Sequence, residues 1–232
     1  MTARLVRLIG LLVLGLPAVA GAQQPAPQER VTALKTTLQQ DKARLRQYEW
    51  IETTVVRLKG EEKARLQNRC YHGADGNIQK VATGTQEQAK SPRGLRGKVA
   101  EKKKGQLTDY MRQAIDMVKL YVPPEPARLQ SSKDSGKAMI RILEPDRRAL
   151  VEFGDYLKPG DSLGIEIELT TNRLLGLRVG TYLDSAEDPV SLVVDMAGLD
   201  DGTGYPARIG LEAKAKQMDV TIENSGYRKG SS

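Results

Sequence analysis

Residue types that carry most metal and nucleophilic chemistry are nearly missing from this chain. Its 232 residues include one cysteine and one histidine, and aromatic residues make up only 4% of the total. A single cysteine excludes an internal disulfide framework, and one cysteine with one histidine cannot fill a zinc site, which takes about four such ligands. We therefore expect no metal site and no cofactor, and a core built chiefly from Leu, Val, Ile and Met.

The lone cysteine and the lone histidine lie two positions apart, in "CYHGADGNIQ". Cys70 and His72 therefore point to the same side of a predicted strand, which makes a thiolate–imidazole pair conceivable. Catalysis would also need a group that orients the imidazole and donors for an oxyanion, and a paired strand uses its own N–H groups. Because the strand is polar at most positions, we expect Cys70 to be a free or mixed-disulfide thiol on a hairpin arm that faces water or a shallow groove.

Other catalytic patterns are equally weak. Glu166 and Glu168 alternate with apolar residues, which predicts the solvated face of a strand rather than an acid–base pair. The stretch "GDSLG" lacks the spacing of a nucleophile elbow, and no glycine-rich phosphate loop occurs. We predict no catalytic residue, and we expect that the protein is not an enzyme.

The first 22 residues are typical of a secretory signal peptide. Arg4 and Arg7 precede an apolar run over 8–16, which is too short to cross a bilayer, and a small-residue cleavage site ends at Ala22. Gln23 follows the predicted cleavage site in place of the cysteine that a lipid anchor requires. We expect a periplasmic or secreted protein with a polar lead-in at 23–27. The net charge of +7 is mild, and nucleic acid is not an expected partner of an exported chain.

Hydrophobic periodicity divides the remainder of the chain. Residues 28–47 carry an apolar stripe at helical spacing, and three strands follow around the Asp75-Gly76 turn. A second amphipathic helix ends before Pro123, and after a loop to about Lys137 seven strands are separated by short turns. Short turns favour antiparallel neighbours. The sequence thus predicts an α+β fold: one domain over 28–228 with a curved, mostly antiparallel sheet that forms an incomplete barrel and carries the second helix on its concave face.

A basic stretch at 85–105 interrupts this pattern. Its last three lysines, Lys102, Lys103 and Lys104, would oppose the dipole of a helix that began there, so we expect a loop and a helix start near Gln106. The stretch either is a solvated loop or docks on an anionic membrane surface.

The order of elements resembles the periplasmic lipoprotein-carrier family, the LolA-like proteins with LolB and RseB. The matching stretches are "LQQDKARLRQYEWIETTVVRLKG", a helix that leads into the first strand, and "IEIELTTNRLLGLRVGTYL", a hairpin with a polar turn. The resemblance implies a curved, unclosed sheet with a helical lid over an apolar cavity that accepts acyl chains. Cavities of that family tend to carry aromatics, whereas this chain has one Phe and one Trp. A smaller, Leu- and Met-lined cavity, or none, is therefore expected.

Two functional hypotheses follow. The first is an exported, non-enzymatic protein that binds an apolar or lipid-like ligand in the bacterial envelope. The second is a periplasmic protein-interaction or sensor module with a filled core, whose partner is another envelope protein. Under the first hypothesis, residues of the helix and the sheet line the ligand site: Leu107, Met111, Met117, Val118, Tyr121, Leu175, Leu177, Val179, Leu192 and Val194. Under the second hypothesis, the same residues form a packed core without a cavity.

Overall fold

The computed structural model describes residues 27–83 and 95–230, and the predicted signal peptide lies outside them. In chain order, its elements are α1 (Pro27–Leu45), β1 (Tyr48–Leu58), β2 (Glu61–His72), β3 (Ile78–Ala82), α2 (Leu95–Lys119), α3 (Pro126–Asp134), β4 (Ala138–Glu144), β5 (Arg148–Gly154), β6 (Ser162–Glu168), β7 (Arg173–Tyr182), β8 (Pro189–Gly198), β9 (Gly204–Ala213), a short 3-10 helix (Lys214–Lys216) and β10 (Met218–Lys229). The predicted first helix, three-strand meander and seven later strands are confirmed.

All ten of these strands form one antiparallel sheet, in the order β3-β2-β1-β10-β9-β8-β7-β6-β5-β4. From β4 to β10 each strand pairs with the next along the chain, as short turns require. The N-terminal meander joins this series through β1, which pairs with β10. Strands β3 and β4 are the two edges, so the sheet does not close into a barrel. The predicted α+β class, with a curved and incompletely closed sheet, is confirmed.

The concave face of the sheet packs against α2. One row of cross-strand partners runs Leu163, Val179, Leu192, Leu211 from β6 to β9. Residues of this row and of α2 belong to the same buried cluster. Since residues two apart on a strand share a face, Leu163 and Ile165 of β6 and Leu177 and Val179 of β7 turn their side chains toward the helix.

The other two helices contact different strands of the sheet. Helix α1 contacts β7 and β9, and α3 contacts β4 and β5. Asp41 of α1 is buried so close to Gly204 of β9 that a Cβ on that glycine would lie 2.6 Å from its carboxylate. None of the helices in the described ranges is both long and apolar enough to span a membrane.

Two predictions about helix boundaries are wrong. Helix α2 begins at Leu95, so the basic stretch is helical from there to residue 105; residues 84–94 lie outside the described residues. Lys, Glu and Ala are strong helix formers, and their summed propensity outweighs a dipole penalty of about 1 kcal/mol or less per exposed lysine. Helix α3 was predicted as loop. It starts with Pro126 in its first turn, where proline loses no hydrogen bond.

Candidate functional site

The predicted lining residues of the second helix meet the concave sheet. Met111, Val118 and Tyr121 are buried in the core cluster, and Leu107 and Met117 are partly buried against it. On the sheet, Val179 and Leu192 belong to the same cluster, Val194 packs against it, and Leu177 is also buried. The structure therefore brings nine of the ten residues to the helix-bearing face. That they line a ligand cavity stays a prediction.

Leu175 is the exception, and the prediction that it faces the helix is wrong. Glu166 pairs with Gly176, but the next residue of β6, Ile167, pairs with Leu174, so β7 has an extra residue at Leu175. A β-bulge of this kind reverses the side on which the residue projects. Leu175 lies instead on the outer face of the sheet, beside Glu166 and Arg178. Strict alternation in the sequence cannot reveal such a bulge.

Two tyrosine hydroxyls hold α2 against the sheet. Tyr121, just beyond the end of the helix, donates to Asp161 and contacts the Thr181 hydroxyl at 2.8 Å. Burial, together with the hydrogen bond to Asp161, raises the pKa of Tyr121. Tyr110, two turns before the end of α2, donates to Asp188 between β7 and β8. The tyrosine nearer the C-terminal end is fully buried, whereas Tyr110 is only partly so.

The apolar surface of the concave face extends beyond α2 toward β4. The row next to the core runs Ile140, Val151, Ile165, Leu177 across β4 to β7. At its β4 end, Ile140 is 49% exposed, and Ile142, two residues on, is 52% exposed. Large aliphatic side chains thus continue from the covered core to an uncovered edge of the same face.

Cys70 is buried, so the prediction of a thiol facing water is wrong. It is 0% exposed and lies between its cross-strand partners Trp50 and Lys80. Burial raises the pKa of the Cys70 thiol, and burial together with the charge of Arg46 lowers the pKa of His72. A thiolate–imidazolium pair requires the opposite shifts. Neither shift favours a nucleophile and its base, and that the two residues are not catalytic stays a prediction.

Few aromatics occur in the chain, and several gather around this cysteine. Trp50 and Tyr227 stack with ring centroids 5.5 Å apart, Tyr205 contacts Tyr227 at 4.3 Å, and His72 contacts Trp50 at 5.6 Å. The Trp50 indole donates to the Asn224 amide at 3.1 Å. Sequence analysis missed this cluster because its members come from opposite ends of the chain. The rings of this cluster pack against one another, which indicates that the cluster stabilises the fold.

Glu166 is also buried, at 3% exposure, so the prediction of a solvated carboxylate is wrong. Arg148 donates to one of its oxygens and Arg178 to the other. Burial alone would raise the pKa of Glu166, but the hydrogen bonds from the two arginines outweigh it and lower the pKa. Glu166 is buried on the face of the sheet opposite α2 because long arginine side chains fold over it.

The three consecutive lysines lie on the N-terminal half of α2, where residues 101–106 are all exposed. Lys102, Lys103 and Lys104 are therefore accessible on a helix instead of on the predicted loop. In the part of the chain that the structure describes, no cluster of three or more His, Cys, Asp or Glu side chains is placed to hold a metal ion.

No protein-family model and no curated protein matches this sequence. Solved structures that match this chain include the following three, each at a TM-score below 0.5. A LolA superfamily protein from Nitrosomonas europaea shares 10% identity at a TM-score of 0.34, over 86% of this chain and 94% of that one. A DUF1329 family protein from Desulfovibrio piger shares 11% identity at a TM-score of 0.39, over 87% of this chain and 94% of that one. A chain of the MucA/MucB complex of Pseudomonas aeruginosa shares 8% identity at a TM-score of 0.23, over 88% of this chain and 100% of that one. The family that the sequence resembles is thus among the matches.

Proposed function

We propose that this protein is an exported, non-enzymatic binding protein that accommodates an apolar, lipid-like ligand between α2 and the concave face of its sheet. The observation that carries this proposal is the continuity of the aliphatic rows. They run from beneath α2 to the exposed side chains of Ile140 and Ile142 at the β4 edge. A ligand chain entering at that edge would meet an uninterrupted apolar surface.

Burial of alkyl chain would supply the affinity, at about 0.8 kcal/mol for each CH₂ removed from water. The helix side of the site suits such a ligand, because methionine adapts to apolar surfaces of different shape. Met111 and Met117 both face the sheet from α2. The buried Tyr121–Asp161 hydrogen bond secures the C-terminal end of the helix, so that displacement of α2 would begin at its exposed N-terminal half.

That exposed half also supports contact with a membrane. Lys102, Lys103 and Lys104 could each contribute on the order of 1 kcal/mol at an anionic surface. They lie on the helix that would cover the ligand, so contact with a membrane would bring this helix next to the lipid surface.

Native mass spectrometry of the protein purified from the bacterial envelope tests the proposal directly. We expect a retained lipid whose mass disappears after delipidation, and saturable binding of a fluorescent fatty-acid probe by the delipidated protein. If the protein retains no lipid and also binds no probe, the proposal is refuted.

The membrane contact is tested separately with vesicles that contain phosphatidylglycerol. Conversion of the three lysines to glutamine should reduce vesicle binding and leave probe affinity unchanged, and conversion of Arg112 and Lys119 on the same helix is the matched control.

A protein-interaction function is the second candidate, favoured by the β4 edge. Five consecutive residues of this strand are exposed, among them Met139 at 65% and Leu143 at 41%. A free strand edge with apolar side chains can pair with an extended segment of a partner. A photoreactive residue at position 142 should then crosslink to one envelope protein in cells, whereas one at position 81 on the β3 edge should not. Equal crosslinking from both edges would argue against a specific partner strand.

A further inference from the structure

The outer face of the sheet carries an open cavity of about 280 Å³ between β5 and β8. It lies on the side of the sheet opposite α2 and is independent of the proposed apolar site. Six charged residues line it, namely Arg147, Arg148, Glu166, Glu168, Arg178 and Asp195. Three are basic and three are acidic, so the lining charges cancel.

The backbone is built irregularly at this point. The pairing of β6 with β7 shifts register after Glu166, and the pairing of β8 with β9 shifts after Asp195. Between them lies Gly176, which pairs with Glu166 on one side and with Asp195 on the other. A Cβ on Gly176 would lie 2.8 Å from the carbonyl oxygen of Val194, so the position has no room for a side chain. Gly176 thus separates the two carboxylates without placing a side chain between them.

Arginines and glutamates alternate along one wall. Glu144 accepts from Arg147 and Arg148, and Glu166 accepts from Arg148 and Arg178. Each guanidinium nitrogen of Arg148 donates to a glutamate, since Nε and Nη2 reach Glu166 and Nη1 reaches Glu144. Within the described residues the Arg178 side chain makes a single hydrogen bond, to Glu166 at 3.3 Å, and it is 52% exposed. The buried Glu166 therefore orients Arg178 while leaving most of its N–H groups open to the cavity.

Asp195 lines the opposite wall. It is exposed, and within the described residues it forms no ion pair, although Arg208 is its cross-strand partner and Arg178 lies diagonally across the adjacent strand. A guanidinium with open donors and an unpaired carboxylate therefore face one cavity across a glycine. A ligand with only a negative charge would be repelled by Asp195 and Glu168, and a ligand with only a positive charge would be repelled by the three arginines.

We propose that this cavity binds a small zwitterion, whose carboxylate or phosphate contacts Arg178 and whose ammonium contacts Asp195. Such a ligand would pair with the charged group on each wall of the cavity. It would also add no net charge to a lining whose own charges cancel. The bidentate geometry of guanidinium suits either anionic group. The same chemistry occurs in free amino-acid-like solutes and in zwitterionic lipid headgroups, and vesicles distinguish the two sources.

Isothermal titration calorimetry with O-phosphoethanolamine and with β-alanine tests the proposal on the full exported chain. We expect at least one of the two to bind, and inorganic phosphate and ethanolamine to bind on the order of tenfold more weakly or not at all. Arg178→Met and Asp195→Asn should each weaken binding by about tenfold or more. The matched controls are Arg208→Met and Glu212→Gln, which lie on the same face outside the cavity lining and should bind as the wild type does.

Association with phosphatidylethanolamine vesicles that is lost in Arg178→Met and Asp195→Asn would identify the ligand as a headgroup, and binding of the free solutes alone would identify a soluble zwitterion. The proposal is overturned if neither zwitterion binds, if phosphate alone binds as well as phosphoethanolamine, or if the control variants weaken binding as much as the cavity variants. Thermal melts of all four variants establish that each remains folded.

Discussion

The Tyr121 hydroxyl donates a hydrogen bond to the carboxylate of Asp161, and both side chains are buried, at 0% and 3% exposure. Asp161 also accepts from the backbone N–H groups of Leu157 and Lys158. One carboxylate thus joins the end of α2 to the turn that precedes β6. Because an unpaired buried carboxylate is costly, this contact holds the C-terminal end of the helix in place.

We expect Tyr121→Phe to lower the free energy of unfolding by about 1–3 kcal/mol, since it removes one donor from a buried, charged acceptor. Tyr182→Phe is the matched control. Its hydroxyl donates to the Pro159 carbonyl at the surface, and its removal should change stability by about 0.5 kcal/mol or less. Urea unfolding of both variants measures the difference. Equal losses would show that the buried hydrogen bond has no special role.

Met117→Asp and Leu177→Asp distinguish a movable helix from a core helix. Met117 is partly buried on α2, whereas Leu177 is 7% exposed within the sheet. If α2 can move away from the sheet, its new carboxylate can reach water, so Met117→Asp should cost much less stability while weakening binding of the fatty-acid probe. Leu177→Asp leaves a carboxylate in the sheet and should unfold the protein. Thermal melts and probe titrations of the pair decide between the two, and equal destabilisation would mean that α2 is ordinary core.

Cys70 should react slowly with a thiol reagent in the folded protein. It is fully buried, and burial raises its pKa, so both access and thiolate formation are suppressed. We expect native labelling to be slower than labelling in denaturant on the order of a hundredfold or more, because reaction requires local opening. The chain has one cysteine, so the signal reports this site alone. Rapid native labelling would place the thiol at the surface.

The pKa of Asp201 should depend on Tyr48. The Tyr48 hydroxyl donates to Asp201 at 2.7 Å, and this bond, with further donors from Thr203, lowers the pKa of Asp201 from 3.8 to about 2. A depressed pKa contributes stability that is fully present above the unfolded value and is lost as the pH falls toward 2. In Tyr48→Phe we expect the pKa to rise toward 3.8. The loss of stability between these two pH values should then be smaller than in the wild type.

NMR titration of the Asp201 carboxyl measures this shift, and acid unfolding measures its consequence. Tyr205→Phe is the control, because Tyr205 belongs to the neighbouring aromatic cluster and contacts Tyr227. It should leave the titration of Asp201 unchanged. An unaltered Asp201 pKa in Tyr48→Phe would mean that the Thr203 donors alone depress it.

Local pattern determined most of the secondary structure. Alternation of apolar and polar residues placed the strands, and the Asp75-Gly76 turn separated β2 from β3, because strand period and turn geometry are properties of neighbouring residues. The apolar stripe from Leu107 to Tyr121 likewise identified the buried side of α2. The same reasoning mistook the start of α2, since competition between helix propensity and the helix dipole is decided by small energy differences.

Tertiary structure alone decided which residues come together. The pairing of β1 with β10 joins the two ends of the chain, and with it Tyr227 stacks on Trp50 and covers the region in which Cys70 is buried. Periodicity indicates that a residue has a buried side, but it carries no information on which distant segment provides the cover.

The outer face shows the same limit. An inserted residue at Leu175 turns that side chain away from α2, and arginines from β5 and β7 bury Glu166 on a face that alternation assigned to solvent. A bulge is set by pairing between strands, and the burial of a charge depends on long side chains reaching across those strands. Both are relationships between residues far apart in sequence, so only the folded sheet determines them.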